Sequence, residues 1–560
     1  MRLVVVGGVA GGMSAAARAR RLDESAQIVV LERGEHVSFA NCGLPYYVGG
    51  EITDRDRLLV ETPESLRASL ALDVRPNSEV VGLDTEARTV TVRTPGGVEA
   101  ISYDALVLSP GATALRPPIP GLDSPRVHTL RSVGDAVALR DMVEAGAGRA
   151  VVLGAGFVGV EAAEALAHAG LATTLVELAP HVLPPLEAEL AVYASHALRR
   201  LGIDVRAGVA ATGIEQDPDR DVVVLGDGTR LDADLVVLSV GVRPDTEVFE
   251  AAGIRCERGA IVVDDHGRTS APGVWAVGDA VASIDAVTGV ARPVPLAGPA
   301  NRAGRLVADD ILAPERARTI PAPIGTAIVR VGDVVAAMTG ANRASLDAAG
   351  AAYHTLHLHP GNHASYFPGT ESLHMLLHVS ARDGRLLGAQ VVGVDGVDKR
   401  IDVLATAIRA GMGVADLVDL DLAYAPPFGS AKDPVSMAGY LGQNVLDGTL
   451  RLWYADQIED VMDTTLVLDV RTEAEFARGH LTGALNVPHA QLRARLDEVR
   501  DAAAGRPVRV MDANGLRGHL AHRVLAQHGI DSASLSGGMT TLIAAVEARE
   551  AVAVKEPAHA

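Results

Sequence analysis

Among the 560 residues two can act as thiol nucleophiles, Cys42 and Cys256. Cys42 stands in Ser38-Phe39-Ala40-Asn41-Cys42-Gly43-Leu44-Pro45-Tyr46-Tyr47. A free cysteine is more often an inert buried residue than a nucleophile. This segment reverses the expectation, being rich in Gly, Pro, Asn and Ser, and it begins where a nucleotide-binding pattern ends, so a thiolate here could exchange electrons with a nearby redox cofactor. No Cys-x-x-Cys or Cys-x4-Cys partner exists, which excludes a dithiol cycle within the chain and leaves one thiol to work alone. Cys256, between Arg255 and Glu257 in an expected turn, reads as incidental. Two cysteines so far apart build neither a disulfide framework nor a cysteine-based metal site; no metal is expected, and a reducing cytoplasm is the expected compartment.

Such a thiol needs an electron source, and the elements that would position one are legible upstream and downstream. The apolar run 3–6 is followed by the turn Gly7-Gly8-Val9-Ala10-Gly11-Gly12, a helical stretch 13–22 and a second apolar strand 28–31 ending in Glu32. That is a βαβ unit, in which a tight glycine turn and a helix N-terminus meet a pyrophosphate while the acid accepts from ribose hydroxyls. The middle glycine of the Gly-x-Gly-x-x-Gly frame is replaced by Val9. A second unit has the full fingerprint, with strand 150–153, Gly154-Ala155-Gly156-Phe157-Val158-Gly159, a helix, and strand 173–176 ending in Glu177. An acid at this strand end would repel a 2′-phosphate, favouring NADH over NADPH. Two dinucleotide sites call for two nucleotides, and a hydride relay from nicotinamide to flavin uses both.

The segments 106–112 and Val274-Trp275-Ala276-Val277-Gly278-Asp279 resemble the pyridine nucleotide-disulfide oxidoreductases. The resemblance implies an FAD site at Gly7, Gly8, Ala10, Gly11, Gly12, Glu32, Gly111, Gly278, Asp279 and Ala297. It implies an NADH site at Gly154, Gly156, Gly159 and Glu177, with Glu161 near the nicotinamide, and a return of the chain to the FAD domain at 240–246. Within that family the Cys42 segment is similar to coenzyme A-disulfide reductases and NADH-dependent persulfide reductases, which carry a mixed disulfide or persulfide on one cysteine. Tyr366 in 359–366 and Tyr424 in 423–428 resemble tyrosines that cross the dimer interface there and protonate or stabilise a leaving thiolate. Arg18, Arg21, Ser38, Asn41 and Arg67 are the implied contacts to polyanionic coenzyme A. The competing reading is the single-cysteine NADH oxidase and peroxidase group, which cycles through sulfenic acid. Those relatives carry a histidine where this chain has Ala10, which favours sulfur chemistry. A non-enzymatic sulfur or redox sensor is the alternative from another class.

The formal net charge of −20 argues against nucleic acid and anionic membrane partners. Of the 50 Lys and Arg residues only Lys399, Lys432 and Lys555 are lysines. The start of the chain imitates a secretory signal, but its four glycines suit a strand-turn-helix, and no uninterrupted apolar run is long enough to span a bilayer. Beyond residue 456 the pattern changes: 461–469 reads as a strand region, and Gly479-His480-Leu481-Thr482-Gly483-Ala484 follows. This part resembles a rhodanese domain, whose loop cysteine binds sulfane sulfur within a ring of N–H groups. Asp512 stands in that cysteine's place, so sulfurtransferase activity is expected to be absent, with Arg517 pairing with Asp512. The expected organisation is α/β. An FAD domain occupies 1–115 and 244–320, and an NADH domain 116–243 is inserted in it. An α+β dimerisation domain covers 321–445, and a rhodanese-like domain 456–550. The expected assembly is a homodimer acting on a small sulfur substrate.

Overall fold

The computed structural model describes residues 1–553. The chain divides into two compact units, Met1–Leu178 with Leu201–Gly325, and Ala179–Arg200 with the residues from Thr326 onward.

The first unit holds two sheets of the same design. In one, strands run in parallel in the order Val274–Ala276, Ala105–Leu108, Arg2–Val6, Gln27–Leu31, Asp73–Arg75. In the other the order is Asp204–Ala207, Ala172–Glu177, Arg149–Leu153, Leu235–Leu238, Val127–His128, again parallel. The glycine turn leaves the central strand of each sheet, where the strand order reverses and ligands of doubly wound folds bind. Each sheet is interrupted at the same point by a three-stranded antiparallel meander, 79–102 in the first and 211–233 in the second. Strands Ala112–Ala114 and Val242–Pro244 pair antiparallel where the chain passes between the two sheets. The central strands are apolar because both faces are covered, Leu3 and Val5 packing on helices, Val4 and Val6 on Val80, Val90 and Val92 of the first meander, and Val151 on Val223 of the second.

The second unit contains a five-stranded antiparallel sheet in the order Ala327–Val331, Val334–Gly340, Leu386–Gly393, His374–Ser380, Tyr353–Leu358. Its other sheet is parallel, in the order Leu452–Trp453, Ser532–Leu535, Val508–Met511, Leu466–Asp469, Leu485–Asn486. Two histidines join them. His357 Nδ1 lies 2.8 Å from Ser536 Oγ and His359 Nε2 lies 2.8 Å from Thr541 Oγ1. Burial pushes His359 down to about 3 and His374, which stacks on Tyr193, to about 4, so both are neutral ring donors and acceptors.

Three local expectations are corrected. The stretch 461–469 is not one strand: the helix Ile458–Thr464 runs into it and the strand is Leu466–Asp469. Cys256 lies in the short strand Cys256–Glu257 rather than in a turn. Arg517 does not pair with Asp512 through its side chain; the guanidinium makes a double bridge to Glu475 at 2.7 and 2.8 Å. Asp512 is instead held by the loop backbone, accepting from the N–H groups of Gly515 (2.7 Å) and Arg517 (2.8 Å). Burial raises the Asp512 carboxyl, and these N–H groups oppose the rise. The carboxylate therefore fills the anion cradle of its own loop.

Candidate active site

Cys42 sits in a single helical turn, Asn41–Gly43, that runs into the short helix Leu44–Val48. The turn is pinned from below. Phe39 bridges Leu59, the Ala40 N–H donates to Leu58 O at 2.8 Å, and Leu44 and Val48 are buried. A Cβ on Gly49 would stand 3.0 Å from Ala165, so this helix rests closely on Phe157–His168, the helix of the second glycine turn. The thiol nevertheless belongs to an exposed residue. Desolvation around the sulfur pushes it up, and the charge of Glu161 adds to the rise. Glu161 Oε1 accepts from the Tyr46 hydroxyl at 3.3 Å, so the acid implied near the nicotinamide lies beside the redox segment. Glu161→Gln keeps an acceptor for Tyr46 and removes the charge. The pH midpoint for alkylation of Cys42 should move to lower pH in that variant; a midpoint that stays put would show that Glu161 does not act on the thiol.

Both glycine turns fit a dinucleotide. A Cβ on Gly7 (φ +96°) would fall 1.9 Å from Ser109 O, and one on Gly12 would fall 1.9 Å from Gly7 O, so only glycine allows this approach of turn, strand and helix. The helix Ala10–Leu22 starts at Val9 with no side-chain cap, which leaves its first N–H groups for a phosphate. Glu32 Oε2 accepts from Gly8 N at 2.8 Å and its other oxygen from Gly34 N at 2.8 Å. The second site repeats this. Ala155 N donates to Glu177 Oε2 at 2.6 Å, and the helix Phe157–His168 starts at uncapped Gly156, whose Cβ would meet nothing within 4 Å. That open space above an uncapped helix end suits a pyrophosphate.

Gly278 and Asp279 form the turn Gly278–Ala280, beside Ser109 and Ala300, and the helix Ala297–Leu312 also begins without a side-chain cap. Gly304 of that helix packs on Gly11 so tightly that a Cβ would lie 2.0 Å from Gly11 O. Burial raises the Asp279 carboxyl and Arg131 opposes it. Arg131 was not among the expected site residues. Burial lowers its pKa and the charge of Asp279 opposes that, so the two side chains interact electrostatically. Its one sequence signal is its place just before Ser132, the cap of Val133–Glu144. Gly111 has φ +74° with open space at its Cβ position.

Of the implied coenzyme A contacts, Ser38 and Asn41 flank the thiol segment directly, and Ser38 adopts φ +45°. Arg18 is engaged with Asp309 at 2.6 Å, Arg21 donates to Ala17 O on its own helix at 2.8 Å, and Arg67 is exposed on Pro63–Leu70. A pocket of about 160 Å³ behind the segment, between His36, Leu59 and Thr62, is edged by Glu61 and Glu64. In the second unit Tyr366 and Tyr424 lie in irregular loops, both exposed, with hydroxyl oxygens 3.1 Å apart. No cluster of three or more metal-ligating side chains occurs among the described residues. No helix among them is long and apolar enough to cross a membrane.

Two tandem dinucleotide folds, with a reachable thiol on the first and Glu161 of the second next to it, define an oxidoreductase that couples a pyridine nucleotide to sulfur. The chain belongs to the pyridine nucleotide-disulphide oxidoreductases: residues 1–298 match that family, 326–434 match its dimerisation domain, and 452–545 match the rhodanese-like domain. A coenzyme A disulfide reductase of Staphylococcus haemolyticus is 32% identical over 449 residues, 79% of this chain and 100% of that one. The reduced CoADR-RHD of Bacillus anthracis superposes with a TM-score of 0.95 at 38% identity, covering 98% of each chain. A NAD-dependent persulfide reductase from A. fulgidus gives a TM-score of 0.89 at 37% identity, over 97% of this chain and 100% of that one.

Proposed function

We propose that the protein uses NADH to reduce a coenzyme A disulfide or persulfide through Cys42, as a homodimer. The observation that carries this reading is the lone reachable thiol of Asn41–Gly43, held beside Glu161 of the second dinucleotide unit. The first glycine turn, Glu32, Asp279 and Arg131 would hold FAD, which would supply the two-electron link between nicotinamide and sulfur. The Cys42 thiolate attacks one sulfur of the disulfide, forming a Cys42–S–S–CoA bond while the other coenzyme A leaves as thiolate. That thiolate takes a proton from Tyr424 or Tyr366 of the partner subunit. Two electrons from NADH then cleave the mixed disulfide, so each NADH and proton give two thiols and NAD⁺. The exposed Tyr366, Phe428 and Tyr440 on the dimerisation domain, 72%, 70% and 42% accessible, favour burial against a second copy.

The rhodanese-like domain cannot carry sulfane sulfur on Asp512, because a carboxylate forms no persulfide and already occupies the N–H cradle. Sulfur therefore reaches Cys42 from outside the chain. Anaerobic NADH consumption with coenzyme A disulfide, coenzyme A persulfide, polysulfide and peroxide as acceptors tests the reading. A coenzyme A adduct on Cys42 by mass and turnover on a sulfur acceptor are expected; turnover on peroxide or oxygen alone would favour the sulfenic acid alternative.

A further inference from the structure

We infer that Lys399 and Arg400 are positioning residues that lock the Tyr366 and Tyr424 loops into one platform, with Asp433 as their common anchor. The inference rests on the reading that these tyrosines serve the partner's Cys42.

The two tyrosines are 58 positions apart in sequence, in loops without regular structure, yet their hydroxyls meet at 3.1 Å. Neither loop would hold such a pair by itself, because a hydrogen bond between two exposed side chains contributes little net stability. Adjacent residues at the start of the helix Val397–Arg409 supply the order. The Lys399 ammonium donates to Ala423 O at 3.2 Å and Phe428 O at 3.3 Å, closing the segment that carries Tyr424 as a staple closes a loop. The Arg400 guanidinium, 1% accessible, donates to Asn362 O at 2.8 Å at the base of the Tyr366 loop. Both cations then meet Asp433 Oδ2, Arg400 at 2.9 Å and Lys399 at 3.7 Å. Asp433 Oδ1 accepts from Val435 N and caps the helix Pro434–Leu446, which fixes the anchor itself. One direct bond joins the loops as well, from Ala364 N to Gly429 O at 2.9 Å.

The residue type is informative. This chain uses arginine at nearly every basic position, and Lys399 is one of three lysines. A compact ammonium with three tetrahedral donors can serve two carbonyls and a carboxylate from different directions, where a planar fork cannot. Removing the staple should let Tyr424 drift from Tyr366, and a displacement of about 1 Å at a reacting group costs up to roughly a hundredfold in rate.

The experiment uses the full-length flavoprotein with Lys399→Met, Lys399→Arg, Tyr366→Phe and Tyr424→Phe. In Lys399→Met, kcat with coenzyme A disulfide should fall roughly ten- to a hundredfold with KM nearly unchanged, and NADH-to-dye reduction should stay at the wild-type rate. Amide exchange across 423–429 should speed up, and Tyr424→Phe should add little to Lys399→Met although it slows the wild type. Lys399→Arg should recover only part of the loss. Unchanged kcat in Lys399→Met beside slowed tyrosine variants would overturn the positioning role alone. Unchanged kcat in both tyrosine variants would overturn the reading beneath it. Loss of dye reduction in Lys399→Met would show that Lys399 holds the fold at large, and that result too overturns the inference.

Discussion

Cys42→Ser is expected to abolish turnover of coenzyme A disulfide, by at least about a thousandfold, while NADH still bleaches the flavin and dye reduction continues at the wild-type rate. Disulfide exchange needs a thiolate, and a serine hydroxyl is un-ionised across the working pH range. The only other thiol among the described residues is Cys256, half-buried in its strand, where burial and Glu250 push it up. It lies in the strand Cys256–Glu257, a different element from the turn Asn41–Gly43 that holds Cys42, and is expected not to substitute. Stopped-flow absorbance separates the two half-reactions. Flavin reduction should be preserved because the side chains proposed to hold the nucleotides are untouched, and the fault should appear only when the disulfide is added. Disulfide turnover within tenfold of wild type would remove Cys42 from the mechanism.

What the sequence made legible was whatever depends on close backbone approach. Gly7, Gly12, Gly154 and Gly159 read as dinucleotide turns because a side chain there would strike Ser109 O, Gly7 O, Ser239 O or Gly154 O, all within 2.3 Å of a Cβ. The same contacts explain a small displacement of the first helix, which begins at Ala10 and not near Met13: glycine is a poor helix former, but Gly11 and Gly12 are held helical by packing on Ser109 and Gly7. Partnerships across long separations were not legible. Arg517 lies five residues from Asp512 and 42 from Glu475, and proximity in sequence pointed to the wrong acid. The 461–469 region failed for another reason, since short apolar runs such as Val461-Met462 and Leu466-Val467-Leu468 fit helix or strand periodicity equally. Arg131 has meaning only once Asp279, 148 positions away in sequence, is brought against it.

The second large effect is expected at Glu177. Its Oε2 accepts from Ala155 N at 2.6 Å, so the carboxylate braces the glycine turn at the strand end where a ribose diol would bind. Glu32 braces the first turn likewise, accepting from Gly8 N with one oxygen and from Gly34 N with the other. A charge-assisted hydrogen bond contributes about 1.5–3 kcal/mol, so losing it and loosening the turn should lower kcat/KM for NADH by roughly a hundredfold in Glu177→Arg. The new guanidinium would also turn repulsion of a 2′-phosphate into attraction, so NADPH should gain as NADH loses, and the preference between them should collapse or invert. Glu177→Gln separates the two contributions. It keeps an oxygen for Ala155 N–H but carries no charge, so the turn should survive, NADH efficiency should fall less, and NADPH should improve through lost repulsion alone. Coenzyme A disulfide reduction driven by dithionite, which bypasses the nicotinamide site, should be unchanged in both variants. If both variants kept the wild-type ratio of NADH to NADPH efficiency, the acid at the end of Ala172–Glu177 would have no part in choosing the nucleotide.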